Sequence, residues 1–203
     1  RRFWSGWAAT LRNTTMHAAL VRRSALALKA LVHGPTGAIA AAATTSLPEH
    51  LGGGRNWDYR YCWVRDACLA ASSLVRLGNT GVGLKLLDWM APVVAACESP
   101  DRLRPLYTVS GERLGPEAEI SEAGGYGGSR PVRIGIAASQ QVQLDVFGPV
   151  VELVALLASE GAPITPEQWR LVEAVVNAVN ARWREPDHGI WEIRGPQRHH
   201  VHT

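Results

Sequence analysis

Apolar residues that recur at helical spacing are the feature that most limits the folds open to this chain of 203 residues. The period is clear in five stretches, which predict helices over residues 14–32, 62–77, 79–97, 137–158 and 165–185. The alternation that is typical of strands is almost absent, apart from a short strand predicted at 106–109. The sequence therefore predicts an all-α fold with long connections.

Composition and charge exclude several classes of function. Hydrophobic residues make up 46% of the chain, charged residues 19%, and the formal net charge is only +3. The sequence has no cluster of basic residues that could bind a phosphate backbone, so we expect no nucleic-acid partner. No apolar run is long enough to span a membrane, so we expect no membrane association. Cys62, Cys68 and Cys97 lack Cys-x-x-Cys spacing. Free thiols of this kind favour a reducing compartment, and we expect a cytoplasmic location.

The connection over residues 98–136 shows no sustained period and is rich in Gly and Pro. A connection of this length inside a compact domain is usually functional, often as a wall or lid over a site. Its acidic side chains are interpreted as a solvated loop face; they are Glu112, Glu117, Glu119 and Glu122.

Ionisable residues stand beside indoles in two short stretches, 55–66 and 189–195. Aromatic rings offer flat apolar faces to a sugar ring, while carboxylates and guanidinium groups hold hydroxyls in fixed directions. We interpret Trp57, Trp63 and Trp191 as part of a functional surface rather than as packing alone. Together the two stretches favour a carbohydrate site.

Two carboxyl groups in these stretches are suited to different tasks. Glu192 lies between Trp191 and Ile193, and apolar neighbours raise a carboxyl pKa, which suits a general acid; an exposed carboxylate is an equally good interpretation. Asp66 follows Arg65 at the start of a predicted helix, where a carboxylate stays ionised and accepts hydrogen bonds from hydroxyls. A simple ion pair at the helix start is the alternative.

We expect no metal and no cofactor. Three histidines lie near residue 203, at positions 199, 200 and 202, but no suitable carboxylate or Cys is close to them in the sequence. Gly52-Gly53-Gly54 lacks the Lys-Ser/Thr of a phosphate-binding loop and is interpreted as a turn.

Five segments in order along the chain resemble the bacterial branch of glycoside hydrolase family 15, which holds glucoamylases and actinobacterial trehalases. They are Thr44-Thr45-Ser46-Leu47-Pro48-Glu49, the stretch 55–66, Gly124 to Gly135, Gln143-Leu144-Asp145-Val146-Phe147-Gly148, and Gly189-Ile190-Trp191-Glu192. One departure is Pro149 after Phe147-Gly148, where relatives usually carry Glu; we expect a local helix kink there.

The resemblance implies an (α/α)6 barrel of six helical hairpins, of which residues 1–203 would form roughly the first half as one partial catalytic domain. The β-sandwich domain that precedes the barrel in bacterial relatives, and the second half of the barrel, have no counterpart here. Half a closed barrel leaves apolar helix faces such as that of Val172, Val176 and Val179 exposed, which makes a homo-oligomer possible.

The resemblance also implies roles for individual residues. Glu192 would be the general acid, and a second Glu from the missing half would activate water, giving inversion. A sugar pocket would be formed by Tyr59, Trp63, Arg65, Asp66, Tyr126, Arg130 and Trp191. The substrate would be an α-linked oligosaccharide or disaccharide, and the fragment alone would have little activity.

Three alternatives remain open at this point. Glucoamylase-type cleavage of α-glucans and trehalase-type cleavage of trehalose are not separated by these motifs. A non-catalytic carbohydrate-binding or scaffold protein would keep the same pocket. A helical-repeat interaction protein is disfavoured, because the helices recur at no fixed sequence period.

Overall fold

A computed structural model describes residues 2–203 and contains mainly helices. The helices are α1 (Arg2–Ala9), α2 (Ala18–Ala30), α3 (Val64–Arg76), α4 (Thr80–Ala95), α5 (Phe147–Ser159) and α6 (Pro166–Arg182). The strands have two to four residues each and form three separate antiparallel pairs. They are β1 (Thr45–Pro48), β2 (Asn56–Asp58), β3 (Cys62–Trp63), β4 (Leu106–Tyr107), β5 (Ala118–Glu119) and β6 (Arg133–Ile134). The prediction of an all-α fold is confirmed.

Helix α6 begins where its sequence predicts. The Thr165 hydroxyl accepts a hydrogen bond from the Gln168 backbone N–H, and the Gln168 side chain accepts one from the Thr165 backbone N–H. Pro166 occupies the first helical position, where a missing N–H costs nothing. These local signals fix the start of the helix independently of the rest of the fold.

The prediction of one helix over residues 137–158 is wrong in its first half. Residues Ala137–Gln140 and Leu144–Val146 form separate 3₁₀ turns, and α5 begins only at Phe147. Pro149 inside a longer helix would remove a backbone hydrogen bond and clash with the preceding turn. It lies instead in the first turn of α5, where its missing N–H removes no intrahelical hydrogen bond, and the expected local kink stays a prediction.

The N-terminal region also differs from its prediction. Helix α2 starts at Ala18, after His17 in a left-handed conformation, rather than near Asn13 or Thr14. Helix α1 was not predicted, because its eight residues are too few to show a helical period.

Helix α3 lies at the centre of the molecule and packs against both α4 and α5, while α6 covers α5 and α4. The apolar side of α3 is fully buried in one continuous core with residues of α4, α5 and α6. Among residues 2–203, no helix is long and apolar enough to cross a membrane.

The long connection after α4 is folded against the start of α3. Strand β4 pairs with β3, so that Trp63 lies opposite Leu106. Trp63 and Leu106 form a second small core with Ile136 and Ala138. The connection therefore forms an ordered wall beside the first turn of α3.

A buried carboxylate joins this wall to the hairpin of β1 and β2. Asp58 is fully buried; it accepts hydrogen bonds from the Arg60 guanidinium at 2.8 Å, the Tyr61 hydroxyl at 3.0 Å and the Gly135 N–H at 3.1 Å. Burial raises the pKa of Asp58, but these hydrogen bonds outweigh it and hold the pKa below its usual value. The ion pair with Arg60 therefore compensates the buried charge of Asp58.

Candidate active site

A cavity of about 700 Å³ opens beside the first turn of α3. Its walls come from four places: the β1–β2 region, the start of α3, the end of the long connection, and the loop after α6. The residues lining it include Glu49, Arg55, Trp57, Tyr59, Trp63, Arg65, Asp66, Ile136, Trp191, Glu192 and Arg194. Both stretches that the sequence singled out thus meet at one cavity.

The end of β3 and the first turn of α3 supply one side of the cavity. Trp63 is buried and adopts an extended conformation as the residue that precedes α3. Tyr59 is half-buried, and its ring lies 5.7 Å from that of Trp63 at an angle of 56°. The Asp66 side chain remains half-exposed in the first helical turn, where the helix dipole favours its charge.

Arg65 is held by buried partners rather than by Asp66. Its Nη1 donates to Asp145 Oδ2 at 2.8 Å and to Gln143 Oε1 at 3.1 Å, whereas Nη2 is 3.4 Å from Asp66 Oδ2. The ion pair with Asp66 that we gave as an alternative is therefore the weaker contact. Of the two carboxylates that contact Arg65, Asp145 is buried and compensates its charge, while Asp66 lines the cavity.

Glu192 lies in a turn of the loop that follows α6. Its backbone N–H donates to the carbonyl of Gly189 at 3.3 Å, and its φ is 55°, in the left-handed region. Two backbone hydrogen bonds between Asp187 and Arg198 close this loop. A left-handed Glu costs of order 1 kcal/mol, which the closed loop must offset.

Burial raises the pKa of Glu192 above its usual value, although two hydrogen bonds oppose the shift. Trp63 Nε1 donates to Glu192 Oε1 at 2.6 Å, and Gln143 Nε2 donates to the same oxygen at 3.5 Å. The expected direction of the pKa shift agrees with the structure, but the expected cause does not. Trp191 is 84% and Ile193 50% exposed, so the cavity wall rather than the chain neighbours buries the carboxyl.

Two residues assigned to the pocket through the resemblance do not line this cavity. Tyr126 is 64% exposed in a 3₁₀ turn, and Arg130 is exposed and donates to the Ser121 carbonyl at 3.2 Å. Both lie in the long connection, whose sequence pattern does not indicate which face points inward. Their roles in binding sugar stay predictions.

Glu117 was not predicted to support residues of the cavity wall. It was interpreted as part of a solvated loop face, yet its half-buried carboxylate accepts from both terminal nitrogens of Arg194, at 3.1 and 2.7 Å. The Arg194 guanidinium in turn lies 4.7 Å from the centre of the Trp57 ring, and Arg133 lies 4.8 Å from it. Glu117 thus holds the cations that support Trp57.

No group of three or more His, Cys, Asp or Glu side chains within residues 2–203 comes together in metal-binding geometry. Cys62 and Cys68 are buried, and burial raises the pKa of Cys62 to about 12, which keeps this thiol protonated and unreactive.

The arrangement combines a carboxyl suited to proton donation with groups that can hold a sugar ring. A carboxyl with a raised pKa faces a cavity that also contains the Asp66 side chain and aromatic rings. The first can donate a proton to an ether oxygen, while the others can hold a polyhydroxylated ring.

Residues 15–203 match the model of glycosyl hydrolases family 15. The chain belongs to this family. It is 42% identical over 182 residues to a trehalase of Mycobacterium tuberculosis; this match covers 89% of the chain and 27% of the relative. It is 36% identical over 201 residues to a trehalase of Thermoplasma acidophilum; this match covers 99% of the chain and 34% of the relative.

The family 15 chain thus spans about a third of the length of these relatives. A solved glycosidase structure, with 20% sequence identity, superposes with a TM-score of 0.59 over 94% of this chain and 46% of that one. This likeness concerns the fold alone. It agrees with the expected all-α barrel, of which the chain forms about half.

Proposed function

We propose that this chain is part of an inverting α-glucoside hydrolase that releases glucose from trehalose. The observation that carries the proposal is the position of Glu192, which faces the cavity with a raised pKa and two N–H donors on one oxygen. Trehalose is preferred over α-glucans because the curated relatives are trehalases.

In the proposed reaction Glu192 gives its proton to the glycosidic oxygen as the bond to the anomeric carbon breaks. Water attacks that carbon from the opposite face and loses a proton to a second carboxylate. Inversion requires roughly 6.5–9.5 Å between the two carboxyl groups. Asp66, in the first turn of α3, holds sugar hydroxyls in this proposal.

We propose that the second carboxylate comes from outside residues 1–203. Two further carboxylates line the cavity, and Asp66 is assigned to hydroxyl binding. Glu49 lies 3.4 Å from Trp57 Nε1 and 3.5 Å from Arg55 Nη1, so both its oxygens already have partners. Residues 1–203 would then be one partial catalytic domain with little activity of its own. Buried free thiols fit a cytoplasmic enzyme.

The test compares the natural-length polypeptide with its Glu192→Gln variant on trehalose and on maltose. Glucose release should fall by about a hundredfold or more in the variant, the scale of general-acid catalysis. Turnover of maltose but not of trehalose would replace the trehalase assignment by a glucoamylase. Equal rates in both proteins would remove Glu192 from the mechanism. Sugar binding without hydrolysis in either protein would favour a carbohydrate-binding protein.

A further inference from the structure

Gln143 is a buried polar residue that the proposed reaction does not yet use. Its side chain is only 2% exposed and connects the Arg65 guanidinium to the Glu192 carboxyl. Burying an amide is unfavourable unless its hydrogen bonds are satisfied. The burial of Gln143 between these two groups therefore indicates a specific role.

The orientation of the Gln143 amide is fixed from both ends. Arg65 can only donate, so the oxygen of Gln143 must face it. The nitrogen then donates to Gln141 Oε1 at 3.0 Å, and Gln141 Nε2 donates to the Ile193 carbonyl at 3.2 Å, which can only accept. The amide therefore presents N–H groups, and never its oxygen, toward Glu192.

The two donors near Glu192 converge on one of its oxygens. Trp63 Nε1 and Gln143 Nε2 both donate to Oε1, and among residues 2–203 no side chain or backbone group donates to Oε2. An oxygen that accepts two N–H bonds is a poor place for a proton, so a protonated Glu192 carries its proton on Oε2.

We propose that Gln143 is a positioning residue, which together with Trp63 confines the transferable proton of Glu192 to Oε2. Asp145 completes the arrangement, because its ion pair with Arg65 at 2.8 Å fixes the group that orients Gln143. This inference rests on the proposed function of Glu192.

The same contacts favour the transition state over the ground state. When the proton leaves Oε2 for the glycosidic oxygen, Glu192 becomes a carboxylate, and N–H donors bind a carboxylate more strongly than a neutral acid. Stabilisation that appears only as charge develops raises kcat without changing substrate affinity. The other groups that act electrostatically on this carboxyl are Arg65, which favours its charge, and Asp66 and Tyr59, which face it across the cavity.

The variant that tests this is Gln143→Glu in the natural-length polypeptide. It is isosteric and keeps an oxygen for Arg65, but it removes the donor that faces Glu192. Gln143→Leu is the second variant, which removes the donor without adding charge. Gln140→Glu is the matched control: its side chain is exposed, lies three residues earlier and has no contact with Glu192.

Two substrates separate positioning from simple disruption. Trehalose requires a proton on its leaving oxygen, whereas the fluoride of α-glucosyl fluoride departs with much less help. Both Gln143 variants should lower kcat on trehalose by about tenfold or more while KM changes less than about twofold. The rate on α-glucosyl fluoride should stay within about threefold of wild type. The basic limb of the pH profile of kcat/KM should move to higher pH, because a lost N–H donor disfavours the carboxylate.

Three results would overturn the proposal. Wild-type kinetics in Gln143→Glu would show that the donor is unimportant. Equal losses on both substrates with an unmoved basic limb would indicate a structural role. A rise in KM alone would make Gln143 a substrate-binding residue. Failure of the proposed function is distinct, since Glu192→Gln would then hydrolyse trehalose as fast as the wild type.

Discussion

At the scale of single residues, the candidate site depends on contacts between groups that are remote in sequence. Trp63, Arg65 and Asp66 are neighbours in one motif, and their common position could be predicted from the sequence. Gln143 could not, because the partners it joins lie 78 and 49 residues away from it. Glu117 was misinterpreted for the same reason, since Arg194 lies 77 residues further along the chain.

The short hydrogen bond from Trp63 to Glu192 gives a prediction about pH. Trp63→Phe keeps the aromatic packing but removes the N–H that favours the ionised carboxyl, so the pKa of Glu192 should rise further. The basic limb of kcat/KM on trehalose should shift to higher pH, and kcat should fall by about three- to tenfold. Trp169→Phe, an exposed indole on α6, is the control and should leave the pH profile unchanged.

Arg65 gives a prediction about stability. Its guanidinium is buried against Asp145, so Asp145→Asn leaves the buried charge with only the longer, 3.4 Å contact to the half-exposed Asp66. We expect the free energy of unfolding to fall by about 3 kcal/mol or more, as for other buried pairs that lose one partner. Urea unfolding of both proteins measures the change. A loss below about 1 kcal/mol, the value of an exposed pair, would contradict the buried arrangement.

The lowered pKa of Asp58 gives a prediction about how the free energy of unfolding depends on pH. Its pKa is lowered in the folded protein, so its contribution is complete above the unfolded pKa of about 3.9 and is lost as pH falls through the lower, folded value. Asp58→Asn should therefore destabilise the protein at pH 7 and flatten the loss of stability below about pH 4. Unfolding curves at several pH values test this. Glu173→Gln, at an exposed position on α6, should retain the wild-type slope.

At the scale of elements, the sequence predicts a boundary well when the signal is local. Helix α6 carries its cap, its first-turn Pro and its reciprocal Gln within four residues, and it begins as predicted. Helix α5 does not begin as predicted, because the apolar residues before Phe147 are buried by tertiary contacts in 3₁₀ turns rather than by helix formation. A periodic apolar pattern therefore shows burial more reliably than it shows conformation.

The cap of α6 can be removed without touching the core. Thr165→Ala deletes the hydroxyl that accepts the Gln168 N–H, and we expect a loss of about 1 kcal/mol in unfolding free energy. Thr14→Ala is a suitable control, because the Thr14 hydroxyl donates to the Met16 carbonyl and caps no helix. Similar losses in the two variants would mean that the reciprocal cap of α6 adds nothing to stability.

At the scale of the whole molecule, the described residues leave apolar side chains on the outer face of α6. The expected exposed stripe is partly wrong, since Val172 is buried and Val179 packs partly buried against the core. Trp169, Val176 and Trp183 instead recur every seven residues and are 54%, 40% and 56% exposed. Spacing by seven places them along one side of the helix. Exposed apolar surface of this kind favours association.

We therefore predict that the chain of residues 1–203 self-associates when it is prepared alone. Sedimentation velocity should show dimers or larger species, and replacing Trp169, Val176 and Trp183 together by Ser should shift the distribution to monomer. Circular dichroism of the triple variant should retain the helical signal, since none of the three residues is buried. A monomeric wild-type chain would show that this exposed apolar face does not drive self-association.

The closed loop that carries Glu192 also limits which of its residues can change without moving Glu192. Its neck is held by the Asp187–Arg198 backbone pair, and by the Asp187 carboxylate, which accepts from the Leu144 and Gly189 N–H groups. Because the neck is held in this way, we expect that the part of the loop after Arg194 can lengthen or change without moving Glu192, the proposed proton donor. In the proposed function, the acid would in this way be inherited unchanged while the neighbouring stretch of chain varies.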